Sequence, residues 1–236
     1  MTHSAHQVDM RTLPDFFIAG HPKCGTTALY QMLRTHPQIF MPDSKEPQYF
    51  TTRGQLYRFT DPFSFEEYQS LFAGATDGQL AGEASVLYLW SDIAAERIAA
   101  VQPTARIVAI FREPASFLRS LHMQYVQGYL EHETDLRTAI ALEKYRRAGV
   151  HDQRSLACTP GMLIYSDYVR YVEQLERYRQ HFPAEQMKVV VYDDFRRDGE
   201  GTARDILRFL GIDETAAIPA VEANPTVRVR HPRLNG

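Results

Sequence analysis

Residues 15–27 read DFFIAGHPKCGTT, an apolar segment that runs into a loop bounded by two glycines. Gly20 and Gly25 have the spacing of a nucleotide-binding P-loop, whose pattern is G-x-x-x-x-G-K-[ST]. The residue after Gly25 is Thr26 instead of lysine, and a lysine lies inside the loop as Lys23. We therefore predict a strand, an anion-binding loop and a helix, in an arrangement that differs from loops that hydrolyse nucleoside triphosphates.

The start of the predicted helix suits a phosphate or sulfate group. A helix N-terminus offers unpaired N–H groups and the positive end of the helix dipole. Lys23 adds a positive charge to the same loop. An ordinary turn between strand and helix, with glycine and threonine as turn and cap residues, is the alternative interpretation.

Composition and pattern predict a single α/β domain. The chain has 236 residues with 44% hydrophobic composition, enough for one substantial core. Strand-like segments alternate with helical patterns, which predicts a central, mostly parallel sheet flanked by helices over residues 14–236, after a disordered N-terminus at 1–13. The predicted strands are 15–20, 80–84, 106–111 and 187–192, and the predicted helices are 26–35, 91–101, 201–210 and one that starts near Pro114.

Three other stretches also carry predictions. A tyrosine-rich stripe from Tyr168 to Phe182, which includes Val172, has helical spacing and predicts a helix with its tyrosines in the core. Residues 51–79 and 149–165 are predicted to be irregular connections of the kind that often form substrate loops.

Charge and cysteine content narrow the functional classes. A net charge of −3 and a pI of about 6.3 give no broad basic surface, so no nucleic-acid partner is predicted. No apolar run approaches about 20 residues and the first dozen residues lack a secretory signal, which predicts a cytoplasmic chain without a membrane span. The two cysteines, Cys24 and Cys158, fit a reducing compartment, with a pair between them as the weaker alternative. The sequence predicts no metal site and leaves a homodimer open.

A second anion anchor follows the predicted strand at 106–111. Arg112 comes directly after that strand, at the edge where open α/β sheets bind ligands. Ser120, eight residues later, lies about two turns along the next helix. A guanidinium group matches a phosphate well, and the serine hydroxyl can donate once more. In the alternative interpretation Arg112 forms an ion pair with Glu113 or a helix end.

These two segments together resemble the cofactor motifs of sulfotransferases that use 3′-phosphoadenosine 5′-phosphosulfate (PAPS). The 5′-phosphosulfate loop of that family reads P-[KR]-[SAG]-G-[TS]-[TS], and the 3′-phosphate motif pairs an arginine after a strand with a serine eight residues on. The resemblance covers roughly residues 14–212 and implies PAPS as donor and 3′,5′-adenosine bisphosphate (PAP) as product, without a metal. The cofactor-binding residues that it implies are Pro22, Lys23, Cys24, Gly25, Thr26, Thr27, Arg112 and Ser120.

The segment SKEPQYF at residues 44–50 resembles the K-E-x-x-[FY]-F segment of the branch that acts on carbohydrates, including heparan. The resemblance implies that Glu46 is the catalytic base, while Lys23 stabilises the leaving phosphate. Gln48 stands where some relatives have a histidine, and His122 on the helix after Arg112 is the fallback base. Glu83, Gln48 and His122 are predicted to contact a small-molecule acceptor.

The last predictions from the sequence concern the C-terminal residues and the reaction that the protein catalyses. Arg228, Arg230 and Arg233 predict a basic loop over the nucleotide, with a disordered end as the alternative. The predicted reaction moves a sulfuryl group from PAPS to a hydroxyl of a small glycoside, lipid alcohol or secondary metabolite, with an amine acceptor as the lesser option. The alternatives are a noncatalytic nucleotide- or partner-binding module on the same fold, and a P-loop-like kinase.

Overall fold

The structure is a computed structural model that describes residues 13–51, 64–150 and 159–219. The predictions for the N-terminal residues 1–12, for Cys158 and for Arg228, Arg230 and Arg233 lie outside these ranges.

The centre of the fold is a five-stranded sheet in the order β2-β3-β1-β4-β5, and each neighbouring pair of strands is parallel. The predicted α/β class with a central parallel sheet is confirmed. The strands are β1 (Phe16–Gly20), β2 (Ile39–Phe40), β3 (Leu80–Ser85), β4 (Arg106–Phe111) and β5 (Met187–Val191).

Helices connect the strands and cover the sheet, as parallel strands require. The helices of the described ranges are α1 (Thr26–Arg34), α2 (Phe65–Ser70), α3 (Ala94–Val101), α4 (Pro114–Gln127), α5 (Leu136–Ala141), α6 (Glu143–Arg147), α7 (Tyr165–Tyr168), α8 (Tyr171–Arg179), α9 (Tyr192–Arg197) and α10 (Gly199–Phe209). Within those ranges no helix is both long and apolar enough to cross a bilayer.

Strand β1 lies in the middle of the sheet because it is apolar on both faces. All five of its residues are buried, and its two faces contribute to two separate hydrophobic clusters. Its neighbour β4 pairs with it from Phe16 opposite Arg106 to Gly20 opposite Ile110. The residues that follow β1 and β4 therefore meet at the carboxyl edge. The chain order changes direction between these two strands, which is where ligands bind in open α/β sheets.

Some local predictions are wrong. The predicted irregular stretch 51–79 contains α2, whose start is fixed by a capping box between Ser64 and Glu67. The predicted tyrosine-rich helix is present as α8, but it does not include Tyr168, which ends the separate helix α7, and Val172 from its apolar stripe is 73% exposed. The core role predicted for the tyrosines is correct for Tyr168 and Tyr178, which are fully buried.

Candidate active site

The loop between β1 and α1 depends on both of its glycines. A Cβ at Gly20 would lie 2.3 Å from the Ile110 Cγ2 atom, so the close approach of β1, β4 and α1 excludes a side chain there. Gly25 has a φ of +82° and stands at the N-cap of α1, where a Cβ would also lie 3.0 Å from the Phe195 ring. No side chain caps α1. The first N–H groups of this helix are thus directed to the space in front of the loop.

Lys23 is held in a strained conformation at the tip of this loop. Its φ is +65°, a left-handed value that a non-glycine residue adopts at a cost of about 1 kcal/mol or more, and its side chain is exposed. The amide of Cys24 donates to the His21 carbonyl oxygen at 3.3 Å, which closes the turn. The lysine is therefore presented outward by the backbone instead of packing against the protein.

His21 fixes the Lys23 loop to the interior of the protein. It is fully buried, and its Nε2 atom lies 2.8 Å from Gln174 Oε1. The Gln174 amide nitrogen already donates to the carbonyl oxygens of Asp167 and Tyr168, so its oxygen accepts from His21 Nε2–H. Burial lowers the pKa of His21 to about 4, and the imidazole is neutral at pH 7. Sequence analysis missed this anchor because Gln174 lies 153 residues away.

Arg112 joins the second anchor to the loop. Its Nη1 donates to the Lys23 carbonyl oxygen at 3.0 Å and its Nε donates to Ser116 Oγ at 2.9 Å. Its guanidinium carbon lies 4.8 Å from the centre of the Tyr192 ring. Glu113 instead caps α4, and accepts from the amides of Ala115 and Ser116, so the structure does not show the alternative ion pair between Arg112 and Glu113.

The buried hydroxyl group of Ser120 forms no hydrogen bond with the described residues. The residue is 5% exposed, and its Oγ atom has no hydrogen-bond partner among the described residues. Buried hydroxyl groups are nearly always hydrogen-bonded. Since Ser120 lies on the wall of the same cleft as Arg112, a ligand that enters the cleft can supply the missing acceptor.

A cleft of about 300 Å³ brings most of the predicted site together. Of the predicted cofactor-binding residues, Pro22, Lys23, Gly25, Thr26, Thr27, Arg112 and Ser120 line it, and the predicted base Glu46 and its neighbour Gln48 lie on the same walls. Sequence analysis did not assign six further lining residues, which are Ala28, Val86, Leu87, Gln124, Tyr125 and Met162. Tyr192 was also missed as a site residue, although its place directly after β5 put it at the ligand-binding edge of the sheet.

Glu46 and Gln48 reach the cleft from a segment that runs beside the end of β3. Both have left-handed φ values, +62° for Glu46 and +54° for Gln48. The Glu46 amide donates to the Ala84 carbonyl oxygen at 3.2 Å, and its carboxylate lies 2.5 Å from Lys45 Nζ. Gln48 Oε1 is buried without a partner in the described residues. Glu46 and Gln48 thus both belong to the lining of the cleft.

Three predicted site residues do not line the cleft. Cys24 has its thiol in the core, where burial raises its pKa to about 12, so its side chain is not placed to bind a nucleotide. His122 is 5% exposed, its Nε2 atom contacts the Glu133 carbonyl oxygen at 2.8 Å and its ring packs against Tyr165, so its side chain is occupied outside the cleft lining. Glu83 is 1% exposed beneath the cleft, so direct contact with an acceptor is not what the structure shows.

The sequence of the chain matches a known protein family. The family model "Sulfotransferase domain" matches residues 13–223. Because this match covers most of the chain, the chain belongs to the sulfotransferase domain family, and the predicted resemblance is confirmed.

Similar proteins agree with this assignment. A solved sulfotransferase from Alicyclobacillus acidocaldarius is 30% identical with a TM-score of 0.77, and the match covers 90% of this chain and 87% of that one. Human heparan sulfate glucosamine 3-O-sulfotransferase 3B1 is 29% identical over 203 residues, which are 86% of this chain and 47% of the relative. Human carbohydrate sulfotransferase 15 is 30% identical over 159 residues, which are 50% of this chain and 28% of the relative. The chain thus spans less than half the length of these two relatives.

A more distant structure shares the fold. The crystal structure of a mouse sulfotransferase complexed with PAP is 16% identical with a TM-score of 0.53, and the match covers 85% of this chain and 59% of that one.

Proposed function

We propose that this chain is a PAPS-dependent sulfotransferase that sulfates a hydroxyl group of a small acceptor. The observation that carries the proposal is the single cleft onto which the Lys23 loop, the pair Arg112 and Ser120, and the carboxylate of Glu46 all converge. Two anion anchors beside one candidate base are what transfer of a sulfuryl group from a bisphosphorylated nucleotide requires.

The residues present fit the donor. Lys23, the free N–H groups at the start of α1 and the hydroxyls of Thr26 and Thr27 would hold the 5′ end. Arg112 and the unpaired hydroxyl of Ser120 would hold the 3′-phosphate. Among the described residues neither Lys23 nor Arg112 forms an ion pair with a carboxylate, so both side chains are available to pair with an anion.

Each catalytic group has a distinct task. When bound, PAPS supplies a sulfuryl group: an S–O bond forms to the acceptor oxygen while the bond from sulfur to the 5′-phosphate oxygen breaks, which leaves PAP. Glu46 takes the proton from the acceptor hydroxyl on a carboxylate oxygen. Lys23 stabilises the negative charge that grows on the leaving phosphate, with the loop N–H groups as fixed donors.

The walls next to Glu46 favour a small acceptor with apolar parts. Val86, Leu87 and Met162 line the same cleft as Glu46, and the unpaired Gln48 Oε1 can accept a hydrogen bond from a hydroxyl. In the described part of the lining, the lysines and arginines are Lys23 and Arg112, both at the donor anchors. A small glycoside, lipid alcohol or secondary metabolite fits this wall better than a polyanionic polymer, and an amine is the lesser option.

The remaining expectations stay predictions. These are a cytoplasmic location and closure of Arg228 and Arg230 over the nucleotide. A noncatalytic module on the same fold would bind PAP without turnover, and a P-loop-like kinase would prefer ATP.

Thermal shift of the full chain with PAP, and separately with ATP and Mg²⁺, tests the donor site. A ligand that binds only the folded state raises the melting temperature. We expect a rise with PAP that shrinks in Lys23→Ala and Arg112→Ala, and no rise with ATP and Mg²⁺. A rise with ATP and Mg²⁺ alone would replace the proposal with the kinase.

A further inference from the structure

A buried carboxylate lies beneath the segment that carries Glu46. Glu83, on β3, accepts hydrogen bonds from three hydroxyl groups: Tyr68 and Tyr88 donate to Oε2 at 2.5 and 3.0 Å, and Ser85 donates to Oε1 at 2.5 Å. Full burial raises the pKa of this group to about 7. Glu83 can carry a charge although it is fully buried, and none of the steps described above uses it. Its presence therefore requires an explanation.

The hydroxyl groups of Ser85 and Tyr88 connect Glu83 to that segment. The amide of Gln48 donates to Ser85 Oγ at 3.1 Å, and the amide of Phe50 lies 3.5 Å from the Tyr88 hydroxyl oxygen. Above pH 7, where Glu83 is mostly ionised, its carboxylate only accepts, so each hydroxyl group turns its proton toward Glu83. The lone pairs of both hydroxyl groups are then left for the two backbone amides.

The segment needs such support because its backbone is unfavourable. Glu46 and Gln48 both have positive φ, and neither is a glycine. The amides of Glu46, Gln48 and Phe50, at alternate positions, donate to β3 or to the turn after it. Two of these three contacts depend on hydroxyl groups that Glu83 orients.

We propose that Glu83 is a positioning residue for sulfuryl transfer: through Ser85 and Tyr88 it fixes the backbone of residues 46–50 and thereby directs Glu46 into the cleft. This inference rests on the proposed function for its catalytic part, and on the hydrogen bonds alone for its structural part. In this proposal Glu83 does not contact the acceptor. It acts through residues 46–50, the segment that carries the base Glu46.

The test combines amide hydrogen exchange of a peptide that spans residues 45–51 with steady-state turnover of PAPS, both on the full chain. Ser85→Ala and Tyr88→Phe each remove one link to the segment, and Glu83→Gln places an amide donor where an acceptor is required. Tyr165→Phe is the matched control because it deletes another buried hydroxyl that donates to a carboxylate, Glu131 at 3.1 Å, away from this segment.

We expect about tenfold faster exchange in that peptide and about tenfold lower kcat in Ser85→Ala and Glu83→Gln, with the KM for PAPS within about twofold of wild type. Tyr88→Phe should show a smaller effect of the same sign, and Tyr165→Phe should match wild type in both. Unchanged exchange in Ser85→Ala and Glu83→Gln would overturn the proposal. Faster exchange at unchanged kcat would overturn its catalytic part. Faster exchange in a chain that never consumes PAPS would support the positioning and reject the sulfotransferase function instead.

Discussion

Arg112 donates a hydrogen bond from Nη1 to the backbone carbonyl oxygen of Lys23 at 3.0 Å, which ties the two anion anchors of the cleft together. The contact spans β1 and β4 at their carboxyl ends, where the order of the sheet changes direction. Lys23 has a left-handed φ, and a donor on its carbonyl oxygen stabilises that conformation. Arg112 therefore stabilises the Lys23 loop, which is the first anchor, and is itself part of the second anchor with Ser120.

Replacement of Arg112 by lysine should weaken PAP binding by about tenfold to a hundredfold, although the charge is kept. Lysine cannot reach Ser116 and Lys23 at once, and it lacks the planar fork that pairs with a phosphate. Isothermal titration with PAP measures the change. Arg119→Lys, on the following helix α4 but exposed and outside the cleft lining, is the control and should bind PAP as wild type does. Equal affinity in both variants would contradict the role of Arg112.

Substitution of Ser120 by alanine should lower PAP affinity by about fivefold and leave the free energy of unfolding unchanged. Its hydroxyl has no partner in the described residues, so its removal breaks no bond in the free protein. With ligand bound it should contribute one hydrogen bond, typically about 1 kcal/mol. Titration with PAP and urea unfolding provide the two readouts. A large loss of stability without a change in affinity would show that the group is structural.

Glu83 should make the stability of the protein depend on pH. Its pKa is raised from 4.5 to about 7, mainly by burial, with Lys45 nearby and the hydroxyls of Tyr68 and Tyr88 in contact. Tyr178 is a further titratable neighbour. The folded state binds the proton more tightly than the unfolded state, so this contribution is present below pH 4.5 and is lost as pH rises through about 7.

The neutral variant Glu83→Gln isolates this effect. Between pH 5 and 8 the wild type should lose roughly 2 to 3 kcal/mol of unfolding free energy relative to the variant. Urea unfolding of both proteins at the two pH values is the measurement. A constant difference between them would mean that Glu83 titrates near its ordinary pKa.

Cys24 should resist thiol reagents while the protein is folded. Its thiol is fully buried and burial raises its pKa to about 12, whereas the thiolate is the reactive form. In Cys158→Ser, where Cys24 is the remaining cysteine, a chromogenic disulfide reagent at pH 8 should react slowly in buffer and rapidly in denaturant. Rapid reaction of the folded variant would place the thiol at the surface.

Local sequence predicted the parts of the site that follow apolar strands. The Lys23 loop and Arg112 were found because β1 and β4 are continuous apolar segments, and parallel strands bring the residues after them to one edge. The base segment was found by resemblance alone. Its place on the cleft wall depends on contacts with β3, about 38 residues later, which no local pattern reports.

The sequence could not predict the burial of a residue that is enclosed by residues far away in the chain. Glu83 lies near the end of β3 and was predicted to contact the acceptor, but hydroxyl groups from α2 and from the turn after β3 enclose it. The two-residue β2 is too short for a periodic pattern, and α9 starts at the residue after β5 with no punctuating glycine or proline between them. Such features are fixed by packing, which overrides local propensity.

Incubation of the full chain with PAPS and a mixed panel of glycosides, lipid alcohols and phenols, followed by mass spectrometry, tests the central claim most directly. We predict formation of PAP together with a product that has gained one SO₃ group, and a loss of about a hundredfold or more in Glu46→Gln with PAP binding unchanged. PAP binding without consumption of PAPS, or turnover that Glu46→Gln leaves intact, would contradict the account of this cleft as a sulfotransferase site with Glu46 as its base.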